Sequence, residues 1–299
     1  MAEWRKRPSL VQRRKAHDGA IVNEHIIVVT GVPDDEKPPV PAVEARRRAG
    51  RGEWRSLPPM ITARGNPAVA AVDGKVYVAG GGNQGFRDEV ERFDPREETW
   101  TSVSSLPQLR AAPAGAGLNG LLYVAGGSVS EDDNTDSVVV FDPEEPEAGW
   151  KEVAPMLDRR ARHKLIAVDG HLYAIGGEND DFDTRSSAER YDPHTDTWTR
   201  IAPMRETRAF FGIAVVRHDI AVVGGYTQVG DKSTFLDTIE IYDVREDRWR
   251  TIETRLPQRR VSLFAATEPN GSLLAIGGVT FDDDGIATIT DEVLALSLH

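Results

Sequence analysis

Residues 167–177 read Ala-Val-Asp-Gly-His-Leu-Tyr-Ala-Ile-Gly-Gly, followed by Ala-Glu-Arg-Tyr-Asp-Pro at 188–193 and Thr-Trp-Thr-Arg-Ile-Ala-Pro-Met at 197–204. A short, apolar, β-rich run that stops at two glycines is the pattern of a buried strand ending in a sharp turn. The same run recurs at Lys75-Val76-Tyr77-Val78-Ala79 and Leu121-Leu122-Tyr123-Val124-Ala125. Glycine pairs recur at Gly80-Gly81, Gly126-Gly127, Gly176-Gly177, Gly224-Gly225 and Gly277-Gly278, with Thr30-Gly31 in their place in the first copy. Trp4, Trp54, Trp100, Trp150, Trp198 and Trp249 are spaced 46 to 51 residues apart. The chain is therefore six copies of one supersecondary unit, each needing its neighbours to bury its apolar surface.

The double glycine, the aromatic-Asp-Pro stretch (Phe93-Asp94-Pro95, Phe141-Asp142-Pro143, Tyr191-Asp192-Pro193, shortened to Tyr242-Asp243) and the late tryptophan resemble the kelch family along the whole chain. The resemblance implies an all-β, six-bladed β-propeller with one four-stranded blade per repeat. Expected boundaries within a single domain, 1–299, are 15–60, 61–106, 107–156, 157–204, 205–257 and 258–299 joined by 1–14. The last glycine pair is followed by one more strand and no tryptophan. Trp4-Arg5-Lys6-Arg7-Pro8-Ser9-Leu10 matches Trp54-Arg55-Ser56-Leu57-Pro58-Pro59-Met60 in character, so the N-terminal strand is expected to complete the last blade and remove the open edge.

Composition narrows function. The absence of cysteine excludes disulfides, thiolate metal sites and a cysteine nucleophile. A net charge of −12 argues against general nucleic-acid binding. No apolar stretch has the length of a membrane span or the form of a signal peptide, so a cytoplasmic, monomeric protein is the expectation. Acidic clusters follow the glycine motifs, at Asp34-Asp35-Glu36, Glu131-Asp132-Asp133, Asp180-Asp181 with Asp183, and Asp282-Asp283-Asp284, without the spacing of a calcium loop. Neither metal nor organic cofactor is expected. The first copy departs from the pattern: a proline-rich loop at 32–41 is expected on the surface, and Ala45-Arg46-Arg47-Arg48, which replaces the aromatic-Asp-Pro stretch, reads as a solvated strand end. His17 and His163 occupy equivalent positions in opposite copies, where they either serve acid-base chemistry or fill the inner strand through hydrogen bonds. No catalytic constellation accompanies them.

One arginine repeats with the frame. Arg14, Arg64, Arg110, Arg160 and Arg208 each stand 16 residues before a glycine motif, and Arg259 or Arg260 continues the series. The kelch resemblance places this position around the channel mouth, where BTB-kelch adaptors of ubiquitin ligases receive substrate peptides. The expected function is accordingly non-enzymatic: a protein-interaction module, of the kind that serves as a substrate-recognition domain, that binds an acidic peptide or protein segment on this loop face. Its ligand-binding residues would be Arg14, Arg64, Arg110, Arg160, Arg162, Arg208 and Arg260, with Tyr226 and Phe281 as aromatic contacts after their glycine pairs. The alternative is an enzyme like the kelch-type sugar-acid mutarotases.

Overall fold

A computed structural model of the chain describes residues 3–50, 52–82 and 85–298; positions 1, 2 and 299 of the expected domain lie outside them. Six four-stranded antiparallel sheets follow the six repeats. Their inner strands are Asp18–Val22, Ala68–Val72, Ala114–Leu118, Lys164–Val168, Gly212–Val216 and Phe264–Thr267, and each packs against the next, the last returning to the first. The sheets, blades 1 to 6, form a closed ring around a central channel. Among the described residues there is no α-helix, only a single 3-10 turn at Pro146–Ala148.

Blade 6 is closed as expected. Trp4–Arg7 pairs antiparallel with Val293–Leu296, in the register Trp4 to Leu296 through Arg7 to Val293. The Trp4 indole donates to the Arg255 carbonyl at 2.8 Å and packs, as do Ile252 and Leu298, against the apolar core that includes Leu256, Leu273 and Leu296. Equivalent indoles repeat the bond in other blades, Trp100 to Pro58, Trp150 to Ser104 and Trp198 to Ala154. Each tryptophan thus ties the outer strand of its blade to the loop that leaves the blade before it, and its apolar body covers a seam that one blade alone leaves open.

The glycine pairs permit the close approach between blades. Gly126 and Gly127 both have positive φ (59° and 99°), and a Cβ on Gly126 would stand 2.4 Å from the Arg160 carbonyl oxygen of the next blade. In blade 1, Thr30 adopts the same conformation (φ 52°) and its hydroxyl donates to the Arg64 carbonyl.

Two additions stand on the ring. Blade 5 carries a hairpin, Tyr226–Val229 with Lys232–Phe235, and the loops of blade 6 form a three-stranded sheet of Arg259–Val261, Val279–Phe281 and Ala287–Ile289. Both grow from segments on the face where the inner strands begin. The expected solvated end at Ala45-Arg46-Arg47-Arg48 is corrected by the fold: Arg46 is buried against Glu268 at 3.3 Å, Arg48 donates to the Thr267 carbonyl, and only Arg47 is exposed. Glu268 belongs to the turn between the first two strands of blade 6, and it also binds Arg7 at 2.7 Å. These buried cations are drawn inward by a carboxylate that no repeat pattern announces.

Candidate functional site

The arginine column is not displayed to a ligand. Arg14, Arg64, Arg110, Arg160, Arg208 and Arg260 are 0–1% exposed, among the most deeply buried large side chains of the protein. The 16-residue spacing is itself a contact: the Arg160 guanidinium donates to the Gly176 carbonyl at 2.8 Å and that of Arg208 to Gly224 at 2.9 Å, as Arg14 does to Thr30 and Arg110 to Gly126. Meanwhile the arginine's own backbone carbonyl accepts an N–H from the glycine pair of the preceding blade, Gly127 to Arg160 and Gly177 to Arg208 at 2.9 Å each. Each arginine therefore rivets two blades.

A glutamate neutralises most of these rivets. Arg14 pairs with Glu44, Arg64 with Glu91, Arg160 with Glu189 at 2.6 Å and Arg208 with Glu240 at 2.7 Å. The same carboxylates accept two backbone N–H groups from the loop before the arginine, as Glu240 does from Arg205 and Glu206. Blade 3 has Val139 at this register, where Arg110 relies on Ser137 and carbonyl oxygens. Desolvation with no adjoining carboxylate pushes the Arg110 guanidinium down to about 10. Arg260 uses Glu292 instead, which assigns the sixth place to Arg260; Arg259 is less buried and lies opposite Phe281 in the added sheet. The glutamates were visible in the sequence, two residues before the aromatic of Glu91-Arg92-Phe93 and Glu189-Arg190-Tyr191.

The position that lines the channel mouth comes two residues later. Ala16, Asn66, Ala112, Arg162, Phe210 and Ser262 all have φ between 47° and 56°, and backbone N–H groups link them around the mouth, Asn66 to Ala16, Arg162 to Ala112, Phe210 to Arg162 and Ser262 to Phe210. Left-handed backbone is costly for bulky residues, so Arg162 and Phe210 hold their places against local preference. Arg162, the one expected binding arginine with an accessible side chain (28% exposed), pairs with Glu178 and lies over the rings of Phe210 and Phe182 at 5.4 and 5.7 Å. Tyr226, also expected here, donates its hydroxyl to Glu178. Residues 162, 178, 210 and 226 thus meet in one cluster.

Below the collar, Lys164 of blade 4 reaches Asp18 of blade 1 across the channel at 2.6 Å. The channel cavity of about 770 Å³ runs from the collar residues, Arg162 and Phe210 among them, past this level to Glu268–Gly271 at the far end. Its wall includes His17 and His163, both nearly fully buried. His17 Nε2 lies 3.1 Å from the Ile276 carbonyl, whereas neither ring nitrogen of His163 has a hydrogen-bond partner among the described residues. Burial and the nearby Arg14 push His17 down to about 3, and burial with Arg160 holds His163 well below the usual histidine range. Their burial holds both rings in the neutral form at neutral pH.

A second cavity of about 400 Å³ opens off-axis on the same face, between the blade 5 hairpin and the added sheet of blade 6. Phe281, expected as a rim contact, stacks on Phe235 with centroids 3.6 Å apart, and Phe210 stacks on Tyr226 at 6.1 Å. Lys15 and Asp35, an ion pair, stand at its edge, so the proline-rich loop reaches this rim. The loops after the glycine pairs on this face are acidic, while the loops that lead into the inner strands expose Arg13, Arg159, Arg205 and Arg255. The segments 30–42, 80–89, 126–137, 176–187, 224–238 and 277–292 together hold 20 acidic and 4 basic residues, and Asp35, Glu36, Glu131, Asp132, Asp133, Asp180, Asp181, Asp283 and Asp284 are exposed. Among the described residues no group of three or more His, Asp or Glu side chains is arranged to hold a metal ion, and no helix is long and apolar enough to cross a membrane.

Known proteins share both pattern and architecture. Kelch-like protein 40 of Xenopus tropicalis is 39% identical over 88 residues, 29% of this chain and 13% of that protein, and Kelch-like protein 34 of Homo sapiens is 33% identical over 107 residues, 36% and 16% respectively. The chain thus matches well under two thirds of the length of these relatives. The solved structure of YjhT has the same fold, with a TM-score of 0.81 over 96% of each chain at 20% identity. The Kelch motif model matches residues 63–107, 109–157, 159–205 and 207–254, and the chain belongs to the kelch-repeat family.

Proposed function

We propose that the protein is an interaction module that receives a segment of a partner protein on the loop face around the channel mouth, and that this segment is basic. The observation that carries the reading is the charge of the loops after the glycine pairs: the repeated arginines expected to bind a ligand are buried between blades, while these loops project carboxylates. Complementary charge steers encounter and selects partners. The kelch-like relatives support an interaction role for a propeller of this kind.

An acidic partner is the second reading, favoured by Arg162, whose guanidinium is accessible at the mouth. Selection of displayed random peptides on the immobilised protein separates the two. Enrichment of lysine and arginine, with binding that weakens as salt rises, supports the first. Enrichment of aspartate and glutamate, abolished by Arg162→Ala, would replace it with the second. An enzyme acting on a sugar acid is a third class, for which the channel cavity has the room; turnover by the purified protein, lost in Lys164→Met, would establish it.

A further inference from the structure

Resting on the basic-partner reading, we propose that the off-axis aromatic pocket seats one large apolar side chain of the partner segment, with lysine or arginine on both sides of it in sequence. The pocket is open, and Phe235, Phe281, Val261, Val279, Phe210 and Tyr226 supply the apolar part of its lining. The aromatic side chains left partly exposed, Phe210, Tyr226 and Phe235, offer an inserted ring or aliphatic chain contact area at little cost in side-chain freedom.

The carboxylates lie where flanking residues would fall. Asp35 stands on the rim with 69% of its side chain exposed. Asp231 occupies the turn of the blade 5 hairpin, and Asp283 and Asp284 the turn of the added sheet, all exposed. The hairpin and the turn of the added sheet also carry Val229 and Ile286, 60% and 63% exposed. Although Lys15 pairs with Asp35 at the edge, Asp231, Asp283 and Asp284 at the turn tips outnumber Lys232, and an apolar centre with this acidic surplus matches an apolar residue between cations. It matches an acidic segment less well, because Asp283 and Asp284 would face it with like charge.

The test uses labelled peptides Lys-Arg-X-Arg-Lys, with X varied, and fluorescence anisotropy on the full chain. Phe, Trp, Tyr or Leu at X is expected to bind at least 10-fold tighter than Gly or Ser. Ala287→Trp, an exposed pocket residue whose replacement fills the cavity, should remove that preference and leave the Gly peptide unchanged. Phe235→Ala, checked for an unaltered melting curve, should do the same. Equal binding for every X would overturn the pocket while leaving the basic-partner reading intact. Failure of all the peptides to bind would overturn both.

Discussion

Lys164 Nζ stands 2.6 Å from Asp18 Oδ2, and because these residues open the inner strands of blades 4 and 1, their ion pair spans the channel from one wall to the other. Both side chains are 19% exposed, so part of the attraction is screened. A double-mutant cycle with Asp18→Asn and Lys164→Met is expected to give a coupling of about 1 kcal/mol in urea denaturation. Coupling near zero would mean that the crossing adds nothing to the ring.

The buried arginines are expected to govern stability rather than affinity. Arg208→Met strands the Glu240 carboxylate in the interior and should cost about 3 kcal/mol or more. Arg110→Met leaves no carboxylate behind and should cost less. Val139→Glu would give Arg110 the partner found in four other blades and is expected to stabilise by about 1 kcal/mol. Chemical denaturation orders the three variants; equal losses for Arg208→Met and Arg110→Met would contradict the role given to the glutamates. Replacing Arg110 and Arg208 together by alanine should lower the melting temperature and leave affinity per folded molecule unchanged.

Histidine burial sets an acid limit. An unfolded histidine takes up its proton near pH 6.5, whereas folded His17 does so at about 3 and folded His163 well below 6.5. The unfolded chain therefore binds more protons between these values. Their contribution is complete above about pH 6.5 and declines as pH falls, by up to about 1.4 kcal/mol per pH unit for each histidine. The melting temperature should drop between pH 6.5 and 4. Phe211 already occupies the equivalent place in blade 5, so His17→Phe with His163→Phe should fold and flatten the profile. An unchanged profile would show that other groups control it.

Closure of the ring predicts a sharp penalty for shortening. Removing residues 1–7 takes away the outer strand of blade 6 and the Trp4 indole, and uncovers the edge at Val293–Leu296. The loss of a large aromatic alone is about 3 to 5 kcal/mol, so the melting temperature should fall by about 10 °C or more. A truncated protein that stays monodisperse with an unaltered transition would remove the closing strand from the account.

Repeats made the fold legible, because tryptophan, glycine pair and strand each answer to one constraint of blade packing. The same regularity misled at the site. An arginine in every copy reads as a charged ring, but a group repeated in all six blades serves what all six share, the joint between neighbours. The proposed site lies where the copies differ, at Arg162 and Phe210 against Ala16 and Ala112, two residues beyond the constant arginine. The aromatic pocket was hidden for another reason: Phe210, Phe235 and Phe281 come from two blades and meet only through the added hairpin and sheet, which no periodicity encodes.

The register of the closing strand also fixes how the molecule responds to traction. Trp4 lies opposite Leu296, so both ends of the ring leave the same end of one ladder. Tension applied through them loads the rungs singly, beginning at Trp4, and blade 6 opens as a zipper does rather than resisting as a glued lap joint. The last rung is Arg7, and the guanidinium held by Glu268 is the stop at the end of the track.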